Sequence, residues 1–149
     1  MQKRKITPPI YFVLCLLLAV ALNFSLPSLR MIPGPYRYIG VLLIALGIWL
    51  NLWADHLFKH KKTTVKPFEQ SSALIEKGPF LFTRNPMYLG MIAILAGTAV
   101  GLGSVIALIS PIVFYAIARF HYIPAEEQAL EETFGDKFHE YKRRVRRWM

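Results

Sequence analysis

Charge is missing from long stretches of this sequence. Residues 10–26, 38–54 and 85–118 contain no Asp, Glu, Lys or Arg. A soluble domain rarely leaves three such windows, because its surface needs solvation, whereas a bilayer core asks for apolar runs of this length. Cysteine is almost absent as well. Cys15 is the only one and lies inside the first apolar run, so no internal disulfide can form and the redox compartment is left open. No internal repeat, low-complexity tract or Gly-rich dinucleotide fingerprint occurs. What is present is 54% hydrophobic and 13% aromatic within 149 residues, the length of one domain.

The net charge of +9 would suit nucleic acid, but its distribution argues against that partner. Lys3, Arg4 and Lys5 precede the first run. Lys59, Lys61, Lys62, Lys66, Lys77 and Arg84 fall in the middle polar segment, and Arg119, Lys137, Lys142, Arg143, Arg144, Arg146 and Arg147 follow the last run. Only Arg30 and Arg37 lie between the first two runs. This is the asymmetry of the positive-inside rule, and the basic tail also attracts anionic lipid headgroups. Lys3–Lys5 and Ala19-Val20-Ala21 have the look of a signal peptide, but the apolar stretch continues to Leu26, which favours a retained first helix.

The expected fold is all-α, an integral membrane bundle of about four transmembrane helices with short cytoplasmic helices at the C-terminus. The spans are expected near 9–26, 36–58, 86–101 and 104–123. Pro8 and Pro9 open the first, and Pro27, Pro33, Gly34 and Pro35 mark the turn before the second. Trp49, Trp53 and Phe58 are placed as interfacial anchors. The uncharged stretch 85–118 would make a helix of about 51 Å against a core of about 30 Å, so a hairpin at Gly101, Gly103 and Ser104 fits better than one span. Parity agrees, since four spans put both termini in the cytoplasm. Beyond Pro124, apolar spacing predicts cytoplasmic helices over 125–134 and 136–147, separated by Gly135.

The residues that could carry chemistry lie in two pieces. Arg84-Asn85-Pro86-Met87-Tyr88-Leu89-Gly90 opens the third helix, with Asn85 as N-cap and Pro86 at the first helical position. A helix N-terminus beside Arg84 favours a carboxylate or phosphate, although Asn-Pro is also a common helix start. Glu126-Glu127 follows the last span and runs against the basic trend around it. These acids either favour the next helix through its dipole or meet a cation bound near Arg84. An anion site beside a cation site suits a zwitterionic or sulfonium-bearing ligand. His56 and His60 stand i, i+4 beside Asp55, but no third or fourth ligand has suitable spacing, so no metal is expected. His121 borders the proposed pocket, and His139 is expected in solvent.

Together with Leu130, Phe134-Gly135, Tyr141 and Val145, these two pieces resemble the isoprenylcysteine carboxyl methyltransferase family and its phospholipid methyltransferase relatives. The resemblance covers about residues 63–147. It implies transfer of a methyl group from S-adenosyl-L-methionine to a lipophilic small-molecule or lipid acceptor at the cytoplasmic face of a bacterial membrane. Carried over by position, Leu74, Ile75, Phe80, Asn85, Pro86, Met87, Tyr88 and Glu126 would bind the cofactor. Arg84 and Glu127 would serve catalysis, and Tyr122 with His121 would meet the acceptor. Three positions depart from the family pattern: Asn85 for the commoner His, Phe80 for Tyr, and Tyr122 for an Arg implied in holding the acceptor. The last puts a prenylcysteine carboxylate in question. For an amine or hydroxyl acceptor, Glu127, His121 and Tyr122 are the nearest bases. A membrane reductase using a nicotinamide cofactor is the alternative from the same C-terminal likeness. A four-helix transporter would place an acid deep in a helix, and Asp55 sits too near an end.

Overall fold

The computed structural model describes residues 7–60 and 73–149. Lys3, Arg4, Lys5, Lys61, Lys62 and Lys66, which enter the charge argument, lie outside the described residues, as does the start of the stretch resembling the methyltransferases. Among the described residues the secondary structure is helical. Helix α1 spans Pro8–Ser25, α2 Arg37–His60, α3 Pro86–Leu102, α4 Ile109–Ile117, α5 Ile123–Phe134 and α6 Asp136–Arg144. A five-residue π turn, Ala118–Tyr122, joins α4 to α5, so Ile106–Phe134 is one continuous rod. That rod, α1 and the segment Gly34–His60 are long and apolar enough to cross a bilayer; α3 is apolar and shorter.

Proline and glycine set the ends of these helices. Pro8 and Pro9 begin α1, where no N–H is required. Gly103 ends α3 in the left-handed region at φ 78°, and Ser104 then pairs with Arg30 in an isolated bridge. Ile32 N–H donates to the Gly103 carbonyl at 3.1 Å and Val105 N–H to Leu29 at 3.1 Å, tying the two turns at this end together. Arg30 Nε donates to the buried Asn23 Oδ1 at 2.9 Å.

Helices α2 and α3 form the tightest pair, running antiparallel along a glycine seam. A Cβ on Gly40 would stand 2.5 Å from Gly97 O and Gly101 N, and one on Gly47 would stand 2.5 Å from Gly90 O. Gly40 and Gly47, like Gly90 and Gly97, are seven residues apart, two turns along one helix face. Where lipid tails are as apolar as leucine, such backbone-to-backbone packing is what holds helices together. Cys15 of α1, Leu95 of α3 and Phe114, Ala118 and Ile123 of the rod form the main apolar core. Val41, Leu42, Trp49 and Leu52 of α2 face outward, as a lipid-facing surface requires.

The structure differs from the sequence expectation in two places. The rod does not break at Pro124. The π turn ends before it, so Pro124 takes the second position of a restarted α-helix, where its missing N–H costs no bond. Helix α6 stops at Arg144 rather than 147, because Val145 turns extended at φ −122° and ψ 129°. Phe58, at the end of α2, packs edge-on against Phe80, with ring centroids 5.5 Å apart. Gly101 extends the glycine seam through its backbone, with nothing within 4 Å of its own Cβ direction.

Candidate active site at the end of the bundle

The start of α3 and the rod meet at one end of the bundle, and there the two sequence pieces come together. Arg84 Nη2 donates to Glu127 Oε1 at 2.8 Å, and Tyr88 Oη donates to Glu126 Oε1 at 2.6 Å. Each pair joins residues about forty positions apart in the chain. Arg84 and Glu127 are nearly enclosed, with side chains 11% and 10% exposed. Glu126 is half-buried.

A third segment, the extended C-terminal tail, closes this end. Arg147 Nη2 reaches Glu127 Oε2 at 2.5 Å and its Nε reaches Oε1 at 3.2 Å. One carboxylate therefore faces two guanidinium groups. Arg84 Nη1 donates to the Lys142 and Val145 carbonyls at 3.2 and 3.1 Å, serving orphan carbonyls at the end of α6. Arg84 N–H donates to the Arg146 carbonyl at 3.0 Å. The Arg147 carbonyl accepts from Asn85 Nδ2 at 2.9 Å and from Thr83 Oγ1 at 3.1 Å. Asn85 does occupy the N-cap position of α3, but its side chain makes no capping bond. Its amide is turned to the tail, with Oδ1 as the end left for another partner.

The wall beside these groups is aromatic. Tyr88 and Tyr122 stack with centroids 6.5 Å apart and planes 26° apart. Tyr11 meets Tyr122 edge-on at 6.0 Å, and His121, on an exposed part of the π turn, meets it at 4.9 Å.

Leu74, Ile75, Phe80 and Met87 belong to a second apolar cluster, with Ala54, Phe138, Tyr141 and Val145. That cluster seats α6: Tyr141 Oη donates to the Phe80 carbonyl at 2.8 Å. Burial pushes the Tyr141 hydroxyl above its ordinary range, so it remains a donor. The apolar face of α6 is thus turned into the protein and its basic residues outward. Arg144 pairs with Glu76 and Lys142 with Glu131. An apolar cleft of about 240 Å³ lies next to Thr83, lined by Trp49, Leu50, Trp53, Phe82, Leu89 and Met149 among others. His56 and His60 pack edge-on at 5.7 Å, while Asp55 pairs with Lys59.

Sequence reasoning missed Arg147 and Thr83. Five arginines and lysines in the last eight residues read as one solvated basic run, and nothing in their spacing singles out the one that turns inward.

An all-α bundle with helices long and apolar enough to cross a bilayer is the architecture of an integral membrane protein, and this one holds a buried polar cluster at one end. The chain belongs to the phospholipid methyltransferase family, whose model matches residues 36–137; this is the family that includes the isoprenylcysteine carboxyl methyltransferases. Membership marks it as a methyltransferase of lipid-like substrates. An uncharacterized protein of Haemophilus influenzae is 38% identical over 63 residues, which is 42% of this chain and all of that protein. No solved structure matches.

Proposed function

We propose that the protein transfers the methyl group of S-adenosyl-L-methionine to a lipid-like acceptor at the cytoplasmic face of the membrane. The observation that carries this is the meeting of Tyr88 on α3 with Glu126 and Tyr122 on the rod, with Asn85 at the head of α3. These groups suit the cofactor's chemistry. The Glu126 carboxylate and the stacked tyrosine faces favour a sulfonium cation, and the Asn85 Oδ1 accepts from an ammonium. The cofactor supplies an electrophilic methyl carbon, which passes to the acceptor's lone pair as its bond to sulfur breaks. The protein's part is to hold the two in line and to stabilise charge.

Arg84 and Glu127 are bonded to each other, so their role here is to fix the loop that presents Asn85. For an amine or hydroxyl acceptor a base is needed. Glu126, bonded by one neutral hydroxyl, suits that role better than Glu127, which faces two guanidiniums. The apolar cleft beside Thr83, lined by Trp49, Leu50 and Leu89 among others, suits the acceptor's apolar chain. With both termini inside, as the basic residues favour, this end of the bundle faces the cytoplasm.

The test is calorimetric binding of S-adenosylmethionine to the detergent-purified protein, with NADPH as control ligand. Micromolar binding that Glu126→Gln and Asn85→Ala each abolish is the expected result. Binding of NADPH alone would overturn the proposal in favour of a reductase.

A further inference from the structure

The basic tail has a role that its composition does not announce. The Arg147 side chain is about one-third exposed (34%), yet its guanidinium makes a two-point contact with the enclosed Glu127. Its own carbonyl receives the Asn85 amide and the Thr83 hydroxyl. The tail is anchored on both sides of this point. Arg84 holds the Val145 and Arg146 carbonyls, and Trp148 packs against Tyr115 with centroids 4.9 Å apart. One residue therefore touches both halves of the site, Glu127 on the rod and Asn85 at the head of α3.

We infer that Arg147 is a positioning residue for the cofactor site, acting through Glu127 and Asn85 and not by contact with the reacting atoms. The inference rests on the cofactor proposed above. Two consequences follow from the contacts. The Asn85 amide has its donor end fixed by the Arg147 carbonyl, so the acceptor end is the one presented to a ligand. Glu127 is shared between Arg84 and Arg147, so loss of Arg147 lets the carboxylate swing with Arg84 and carries the 83–85 loop with it. Lysine cannot replace the two-point contact, because a single ammonium lacks the planar fork that matches both carboxylate oxygens.

The experiment is a double-mutant cycle on S-adenosylmethionine affinity in the full chain, using Arg147→Met, Glu127→Gln and the double variant, each first checked for monodispersity. Arg147→Met is expected to weaken binding about ten-fold or more, and the double variant to lose no more than the worse single variant, because the two residues act as one unit. Arg147→Lys is expected to fall between wild type and Arg147→Met, and it carries the test if the methionine variant does not fold. Undiminished affinity in Arg147→Met or Arg147→Lys, with wild type binding normally, overturns this inference alone. Losses that multiply in the double variant also overturn it, since they mean that Arg147 acts independently of Glu127. A wild-type protein that does not bind overturns the cofactor assignment and this inference with it.

Discussion

Replacing Arg84 by methionine keeps most of the side chain's stem and removes the guanidinium. In the structure that group bonds the Lys142 and Val145 carbonyls and Glu127, with only 11% of the side chain exposed. A hydrogen bond from a charged group contributes about 1.5–3 kcal/mol. Three are lost, but water can reach the carbonyls once α6 loosens, and Glu127 retains Arg147. The net cost to the docking of α6 and the tail is then about 3 kcal/mol, the lower part of the range for breaking a buried ion pair. At 1.4 kcal/mol per decade this is about a 150-fold rise in local opening. Hydrogen exchange on the detergent-solubilised protein reads it directly. Amides 139–145 should exchange faster by that factor, while those of α3 beyond its first turn stay as in wild type. Exchange across α6 within about three-fold of wild type would refute the claim that Arg84 fastens this helix.

The glycine seam gives a paired test: Gly97→Ala puts a methyl 2.5 Å from Gly40 O and 2.8 Å from the Ile44 side chain, and should destabilise by about 1–3 kcal/mol. Gly101→Ala meets nothing within 4 Å and should leave the melting temperature equal or higher, through a gain of about 0.5–1 kcal/mol in helix propensity; equal melting of the two variants would count against the seam. Deleting Phe120, exposed on the π turn, should restore α-helical register and turn Glu126 about 100° away from Tyr88. In a Cys15→Ser background carrying Tyr88→Cys and Glu126→Cys, a short bismaleimide should then link the parent and not the deletion variant; equal linking would show that the turn does not set the register.

The apolar helices were legible because their signal is the absence of charge, which lipid imposes on every residue of a span. The Arg84 and Glu126 pieces were legible as an anion site and a cation site for one ligand, and the family likeness put them in one pattern, but the direct bond from Arg84 to Glu127 was not, since nothing local in either piece names the other. Three features were hidden for distinct physical reasons. The seam of Gly40, Gly47, Gly90 and Gly97 depends on which helix faces which, a tertiary fact that single-helix periodicity cannot carry. Pro124 reads as a helix break because proline denies an N–H to the preceding turn. The π turn removes that conflict, and its own residues Ala118–Tyr122 carry no marker. Arg147 sits among like charges, and only the extended backbone at Val145 turns it toward Glu127.

The π turn also explains how one tyrosine meets three residues of a single helix. Tyr88 lies against Phe114 at 6.4 Å between centroids, stacks on Tyr122 and donates to Glu126. On an unbroken α-helix, at 100° per residue, Glu126 would stand about 120° around from Phe114 and could not share a partner with it. One extra residue in the turn takes back about 100°, leaving the two within about 20° of one face. The same shift gives Pro124 a position that needs no N–H, and so lets the rod continue past the apolar core with the Glu126 carboxylate aimed at α3. A plain helix with the same side chains would have kept Phe114 in the core and sent Glu126 elsewhere. The local irregularity, more than the choice of glutamate, is what brings an acid to Tyr88.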